Sequence, residues 1–151
     1  MTAVDLQAGV EALSSTPPSF LARYLKDAGL ELSQGPEETA VFARDEACTV
    51  VFAGELLDRN RLGAPQSGEP GSEAEVVLAA YRSRGERIFD DLRGVFAVAI
   101  HDRESNTLLF ARDQLGHHPL FFALGADGVH LSDSIVRLVR HFWAVQDKPE
   151  K

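Results

Sequence analysis

"RGVFAVAIHDRESNTLLFARDQLGHHPL" spans residues 93–120, and it sets the architecture of the whole chain. Two apolar runs flank the polar turn "RESN". The first run, "VFAVAI", does not alternate apolar with polar residues, so the strand it predicts is covered on both faces. A strand with two covered faces lies inside a layered sandwich. The second run, "LLFAR", leads into Arg112–Asp113, then Gly116 and Pro119, a chain exit built from turn-forming residues. Strands are therefore expected at about 94–101 and 107–112.

Working outward, "ETAVFAR" and "ACTVVFAG" read as two more strands around the turn "DEA". "GAPQSGEPG" (63–71) is a loop by composition. "SEAE" at residues 72–75 is a capping box, and Ala74, Val77, Leu78 and Tyr81 follow it at helical spacing. Arg82, Arg84 and Gly85 suit the end of that helix, and "ERIFDDL" adds a turn or two. "PLFFAL" and "GVHLS" predict a further strand pair across "GADG". Asp133 or Ser134 then caps a last helix with Ile135, Leu138, Val139 and Phe142 on one face, and "QDKPEK" is a solvated tail.

The N-terminal part reads differently. Leu6, Val10 and Leu13 share a weak helical face, and "SSTPP" breaks the chain. "SFLARYLKDAG" then predicts a second short helix, capped by Ser19 and stopped by Gly29. Covered strands flanked by helices make a layered α+β domain. The division expected is a divergent helical and strand segment at 1–46, a core at 47–145 and a tail at 146–151.

At 151 residues the chain is long enough to bury one real core. Its net charge of -8, without a basic stripe, disfavours nucleic acid as a partner. No apolar run reaches the roughly 20 residues of a membrane span, and the N-terminus has no signal-peptide pattern. The single cysteine, Cys48, excludes an internal disulfide and suits a reducing compartment, so a cytoplasmic protein is expected. Cys48 lies mid-strand, where a buried thiol is inert. His117–His118 are adjacent and lack companion ligands at metal spacing, and His101, His130 and His141 are isolated, so no metal is expected.

Four segments in order resemble the N-terminal glutamine-amidotransferase half of asparagine synthetases, N-terminal-nucleophile (Ntn) hydrolases. They are "VVFAGELLDRNRL", "GSEAEVVLAAYRSRGERIFDDLRGVFAVAIHD", "LLFARDQLGHHPLFFA" and "HLSDSIVRLV", running from Cys48 to Phe142. They match the family's N-G-E strand end, G-S-D helix start, R-G-x-F-A strand and A-R-D-x-x-G-x-x-P-L segment. The resemblance implies an Ntn-hydrolase-like αββα sandwich, altered or truncated at its N-terminus. It also implies a chemistry: an N-terminal cysteine attacks the glutamine amide, and the Asn side chain and Gly amide of N-G-E hold the oxyanion. An arginine and an aspartate clamp the substrate's carboxylate and amino group.

The chain departs from the family at those same positions. Residue 2 is Thr2, Ala53 stands for the Asn of N-G-E, Glu73 for the clamping Asp, and no R-L-S-like arginine motif precedes Ala53. Loss of one oxyanion donor costs about 3–4 kcal/mol of transition-state stabilisation. Ala53, Gly54, Glu55 and Glu73 are therefore read as a vestigial substrate site without catalytic residues. The structural alternative for Glu55 and Glu73 is a strand-end and a helix-start carboxylate. Arg112, Asp113, Gly116 and Pro119 are read as a docking surface for a second domain, or else as a salt-bridged turn fixing the hairpin's exit.

The resemblance further implies a role beside an adenylating domain that carries an S-G-G-x-D-S loop and uses ATP and magnesium. No such loop occurs in these residues, so this chain is expected to bind no cofactor, and the adenylating domain is expected in trans or missing in cis. Related enzymes that close β-lactam or lasso-peptide rings keep such a half without using glutamine. Two alternatives stay open. One is a weak glutaminase with Thr2 as nucleophile and its amine as base. The other is a stand-alone scaffold, with a homodimer as one form.

Overall fold

The computed structural model describes residues 20–25, 29–34, 39–63 and 71–146. The expected helix at 5–14, the "SSTPP" break, most of the 63–71 loop and the tail lie outside them. The described elements begin with β1 (Phe20–Leu25), β2 (Gly29–Gln34), β3 (Ala40–Arg44) and β4 (Cys48–Leu56). They continue with α1 (Glu73–Arg84), α2 (Ile88–Asp91), β5 (Gly94–Asp102) and β6 (Thr107–Arg112). The last three are β7 (Phe121–Gly125), β8 (Gly128–Ser132) and α3 (Ile135–Gln146).

The strands form two four-stranded antiparallel sheets, ordered β2-β1-β8-β7 and β3-β4-β5-β6. The period-two alternation of side chains sends each internal strand's residues into two different layers. From β4 and β5, Cys48, Val50, Phe52, Phe96, Val98 and Ile100 pack under α1 with its Ala74, Val77, Ala80 and Tyr81. Their neighbours Val51, Ala53 and Ala99 point the other way, and meet Phe20, Ala22, Leu30 and Leu131 of the opposite sheet. α3 lies against β1, β7 and β8 on the far side. The layers therefore run helix, sheet, sheet, helix, and the doubly covered strand expected at 94–101 is β5, at the centre of this stack.

Local chemistry explains most boundaries. The Ser72 hydroxyl accepts from the Glu75 amide at 3.3 Å while the Glu75 carboxylate accepts from the Ser72 amide at 2.7 Å, which closes the capping box. Gly85 ends α1 with φ 62° and ψ -145°, outside the expected αL cap, because the chain runs straight on into a 3-10 turn. The "DEA" turn is held by the Asp45 carboxylate, which accepts from Ala47 and Cys48 at 2.8 and 2.6 Å. In the β5–β6 turn the Asp102 carboxylate accepts from Glu104 and Ser105, and Asn106 takes φ 52°.

Two expectations fail. The helix from Ser19 to Gly29 is instead strand β1, and Gly29 opens strand β2 at φ 80° rather than ending a helix. Pairing decides it: β1 lies between β2 and β8, its Phe20 amide donates to Asp133 at 3.0 Å, and the Ser132 hydroxyl donates to its Phe20 carbonyl at 2.6 Å. In α3, Leu138 is buried as expected but Ile135, at the helix's first residue, is exposed. Of the two candidate caps for α3, Ser134 fits: its hydroxyl accepts from the Arg137 amide at 3.3 Å.

Candidate functional site

The stretch Ala53–Gly54–Glu55 forms the C-terminal half of β4, where the strand leaves the core. Ala53 is 1 % exposed and sits between Ala40 of β3 and Ala97 of β5, in the same inter-sheet cluster as Phe20. A methyl group there can donate no hydrogen bond to an oxyanion, and apolar side chains surround it. Gly54 is at φ 107°, and a Cβ on it would lie 2.0 Å from the Val95 carbonyl oxygen and 2.9 Å from Phe96 Cα. Gly94 mirrors it across the ladder, with φ 154° and a Cβ that would lie 2.1 Å from the Glu55 carbonyl oxygen. Both glycines are therefore required by the close approach of β4 and β5, whatever Gly54's amide does. Glu55 is exposed at the strand's end.

Glu73 opens α1, and its carboxylate pairs with Arg59 of the preceding 3-10 turn at 3.2 Å. The same guanidinium donates to the Gly71 carbonyl at 2.8 Å, so the pair ties the turn after β4 to the start of the helix. The carboxylate standing for the family's clamping Asp is thus engaged by the chain's own cation.

The turn after β6 is organised around Asp113. Its carboxylate accepts from the amides of His117 and His118, both at 2.9 Å, and its own amide donates to the Phe96 carbonyl. These bonds, that from His118 first, hold the Asp113 carboxyl down at about 2. Gly116, at φ 67°, donates to the Asp113 carbonyl at 3.0 Å and leaves room for the Arg112 guanidinium. The turn is therefore held by amide-to-carboxylate bonds rather than by the salt bridge read from the sequence. Pro119 is exposed just beyond. Beside the turn lies a pocket of about 190 Å³, lined among others by Leu57, Leu92, Phe96, Leu115 and His117. Leu57 and Leu115 are 73 % and 80 % exposed.

Sequence reasoning missed one connection. The His118 imidazole faces the Asp133 carboxylate at 3.6 Å, and Asp133 holds the Phe20 amide, so the Asp113 turn is linked to the first residue of β1. No spacing rule reveals contacts between residues so far apart in the chain.

Two antiparallel sheets packed face to face between helices define an Ntn-hydrolase-like sandwich, with Ala53–Gly54–Glu55 on β4 and Glu73 at the start of α1. Comparison with known proteins agrees. The glutamine amidotransferase domain family matches residues 34–150. Asparagine synthetase B [glutamine-hydrolyzing] of Escherichia coli is 42% identical over 60 residues, 40% of this chain and 11% of that protein. Asparagine synthetase [glutamine-hydrolyzing] 3 of Bacillus subtilis is 29% identical over 117 residues, 74% of this chain and 19% of its own. Asparagine synthetase [glutamine-hydrolyzing] 2 of Arabidopsis thaliana is 32% identical over 92 residues, 58% and 16%.

The chain belongs to the glutamine amidotransferase domain family, as the class II domain found in asparagine synthetases. It spans 11% to 19% of the length of these relatives. Among the described residues, no helix is long and apolar enough to cross a membrane.

Proposed function

We propose that this domain does not hydrolyse glutamine and serves as the structural or substrate-shaping part of an ATP-dependent, asparagine-synthetase-like amide-forming enzyme. One observation carries the reading. The residue in the position of the oxyanion carboxamide is Ala53, buried in an inter-sheet core that also holds Phe20. An oxyanion needs a preorganised donor in a polar recess, and this place offers a methyl group in an apolar one. The Arg59–Glu73 pair adds support, since a carboxylate already neutralised is a poor clamp for a substrate's ammonium group.

Thr2, the alternative nucleophile, lies outside the described residues. The first described strand starts at Phe20 and is internal to its sheet.

The chain's expected partner is the adenylating domain, in trans or as the remainder of a longer polypeptide. The face that suits it is the Asp113 turn with its pocket and the protruding Leu57 and Leu115. A contiguous apolar surface around a rigid turn is the composition of an interface core. ATP and magnesium would belong to that domain and not to this one.

The test is direct. The purified chain is incubated with glutamine and ammonia is measured against an enzyme-free blank, in parallel with a glutamine-mimicking diazo-ketone and mass spectrometry. No ammonia and no adduct are expected. Ammonia release that disappears in Thr2→Ala, or an acyl-type adduct on the chain, overturns the silent reading.

A further inference from the structure

Beneath α3, away from the amidotransferase remnant, two imidazoles lie against each other. His130 of β8 is 1 % exposed, and its ring centroid is 4.8 Å from that of His141 on α3. Phe142 closes the group, 4.8 Å from His130. Gly125 makes the room, since a Cβ there would lie 3.1 Å from His130 Nε2 and 3.2 Å from the Phe142 ring.

The hydrogen bonds assign the protons. His130 Nε2 lies 2.8 Å from the Asp127 carboxylate, which can only accept, so Nε2 carries the ring's proton. Nδ1 of His130 is then bare when the ring is neutral, and it is buried with no partner, as is Nε2 of His141. A proton on His141 would place a cation in ring contact with His130 and near Arg23 of β1. The packing favours a neutral His141 ring.

We propose that the His130–His141 contact is a pH-sensitive latch that holds α3 on the outer face of its sheet and releases it on mild acidification. Among the described residues, the charges around the pair come from three elements and the turn between β7 and β8. Asp127, on the β7–β8 turn, favours protonation, and Arg23 on β1 opposes it while pairing with Glu31 of β2 at 3.0 Å. From α3 itself, Arg137 donates to the Ser33 carbonyl at 3.0 Å, and Arg140 also lies on this helix. Burial, then His130, then Arg23 push the His141 imidazole below its ordinary value of 6.5. A histidine depressed in the docked state binds more protons once undocked. Docking is therefore strongest above 6.5 and weakens as the pH falls below it. The latch is independent of whether the domain hydrolyses glutamine.

The chain's single tryptophan, Trp143, sits half-buried on α3 two residues past His141 and is the probe of docking. In the full chain, its emission should shift to the red reversibly as the pH falls from 7 to 5, while far-ultraviolet circular dichroism keeps its strand signal. His141→Leu should abolish the shift. Asp127→Asn removes the charge that tolerates protonation, so the midpoint should move to higher pH, each half unit being about a threefold change in the docking constant. If His141→Leu does not fold, Asp127→Asn decides alone. A flat wild-type profile, an unmoved Asp127→Asn midpoint, or a folded His141→Leu that titrates as wild type overturns the latch.

Discussion

Ala53→Asn restores the carboxamide that the family's N-G-E motif carries, and it separates a damaged site from a filled one. If only the donor were lost, the surrounding recess would accept an asparagine at little cost. The structure gives the opposite expectation. Ala53 is 1 % exposed, in the inter-sheet layer with Phe20, Ala40 and Ala99. Forcing a larger side chain into a packed layer costs about 1–3 kcal/mol. Burying its amide without partners costs about 1–3 kcal/mol more. The sum, about 2–6 kcal/mol, is a large part of the roughly 5–15 kcal/mol that holds a domain folded. Urea unfolding followed by Trp143 emission and circular dichroism measures it, and an ammonia assay runs alongside. The expected variant is markedly less stable and still silent. A variant as stable as its parent would show an open recess at this position, and the filled-site argument would be wrong. Ammonia above the blank would overturn the functional reading as well.

Gly54→Ala should destabilise the fold by about 2–5 kcal/mol, from a Cβ at positive φ and its collision with the Val95 carbonyl; a denaturation midpoint close to wild type would refute the backbone explanation. Asp113 has its folded pKa depressed from 3.8 to about 2, so its contribution is present above 3.8 and lost as the pH falls through about 2. Asp113→Asn should therefore lower thermal stability at neutral pH and flatten its fall between pH 4 and 2, and an unchanged acid limb in differential scanning calorimetry would count against this.

The parts of the fold that could be read from the chain are those fixed by neighbours in sequence. Ser72 and Glu75 are three residues apart, and their two bonds need nothing else. The unbroken apolar run in β5 declares two covered faces because both its neighbours pack there. Residues 20–25 could not be read this way. Phe20, Leu21, Tyr24 and Leu25 fall at spacings that serve one face of a helix as well as two faces of a strand. What selects the strand is distant: β8 on one side and the Asp133 carboxylate at its first amide. The sequence also did not reveal the partner of Glu73, because Arg59 belongs to a turn with no helical or strand periodicity. The substitution at Ala53 was visible in the sequence, but its burial beside Phe20 follows only from stacking the two sheets.

That distinction bears on the function. The motif residues that remain are those the backbone itself requires. Gly54 and Gly94 let β4 and β5 approach, and Asp113 and Gly116 shape the turn after β6. Those that are missing, the carboxamide at position 53 and a cysteine nucleophile at position 2, are side chains that only the chemistry requires. Selection for folding alone retains the first set and leaves the second free to change. A surviving glycine in this motif is consequently poor evidence for glutaminase activity, because strand geometry would keep it in a domain that had none. Glu55 is also retained, although its side chain has no such duty: it is exposed at the end of β4 and its carbonyl meets Gly94. An exposed carboxylate at this strand end suits contact with a neighbouring domain, which fits the role proposed for this chain.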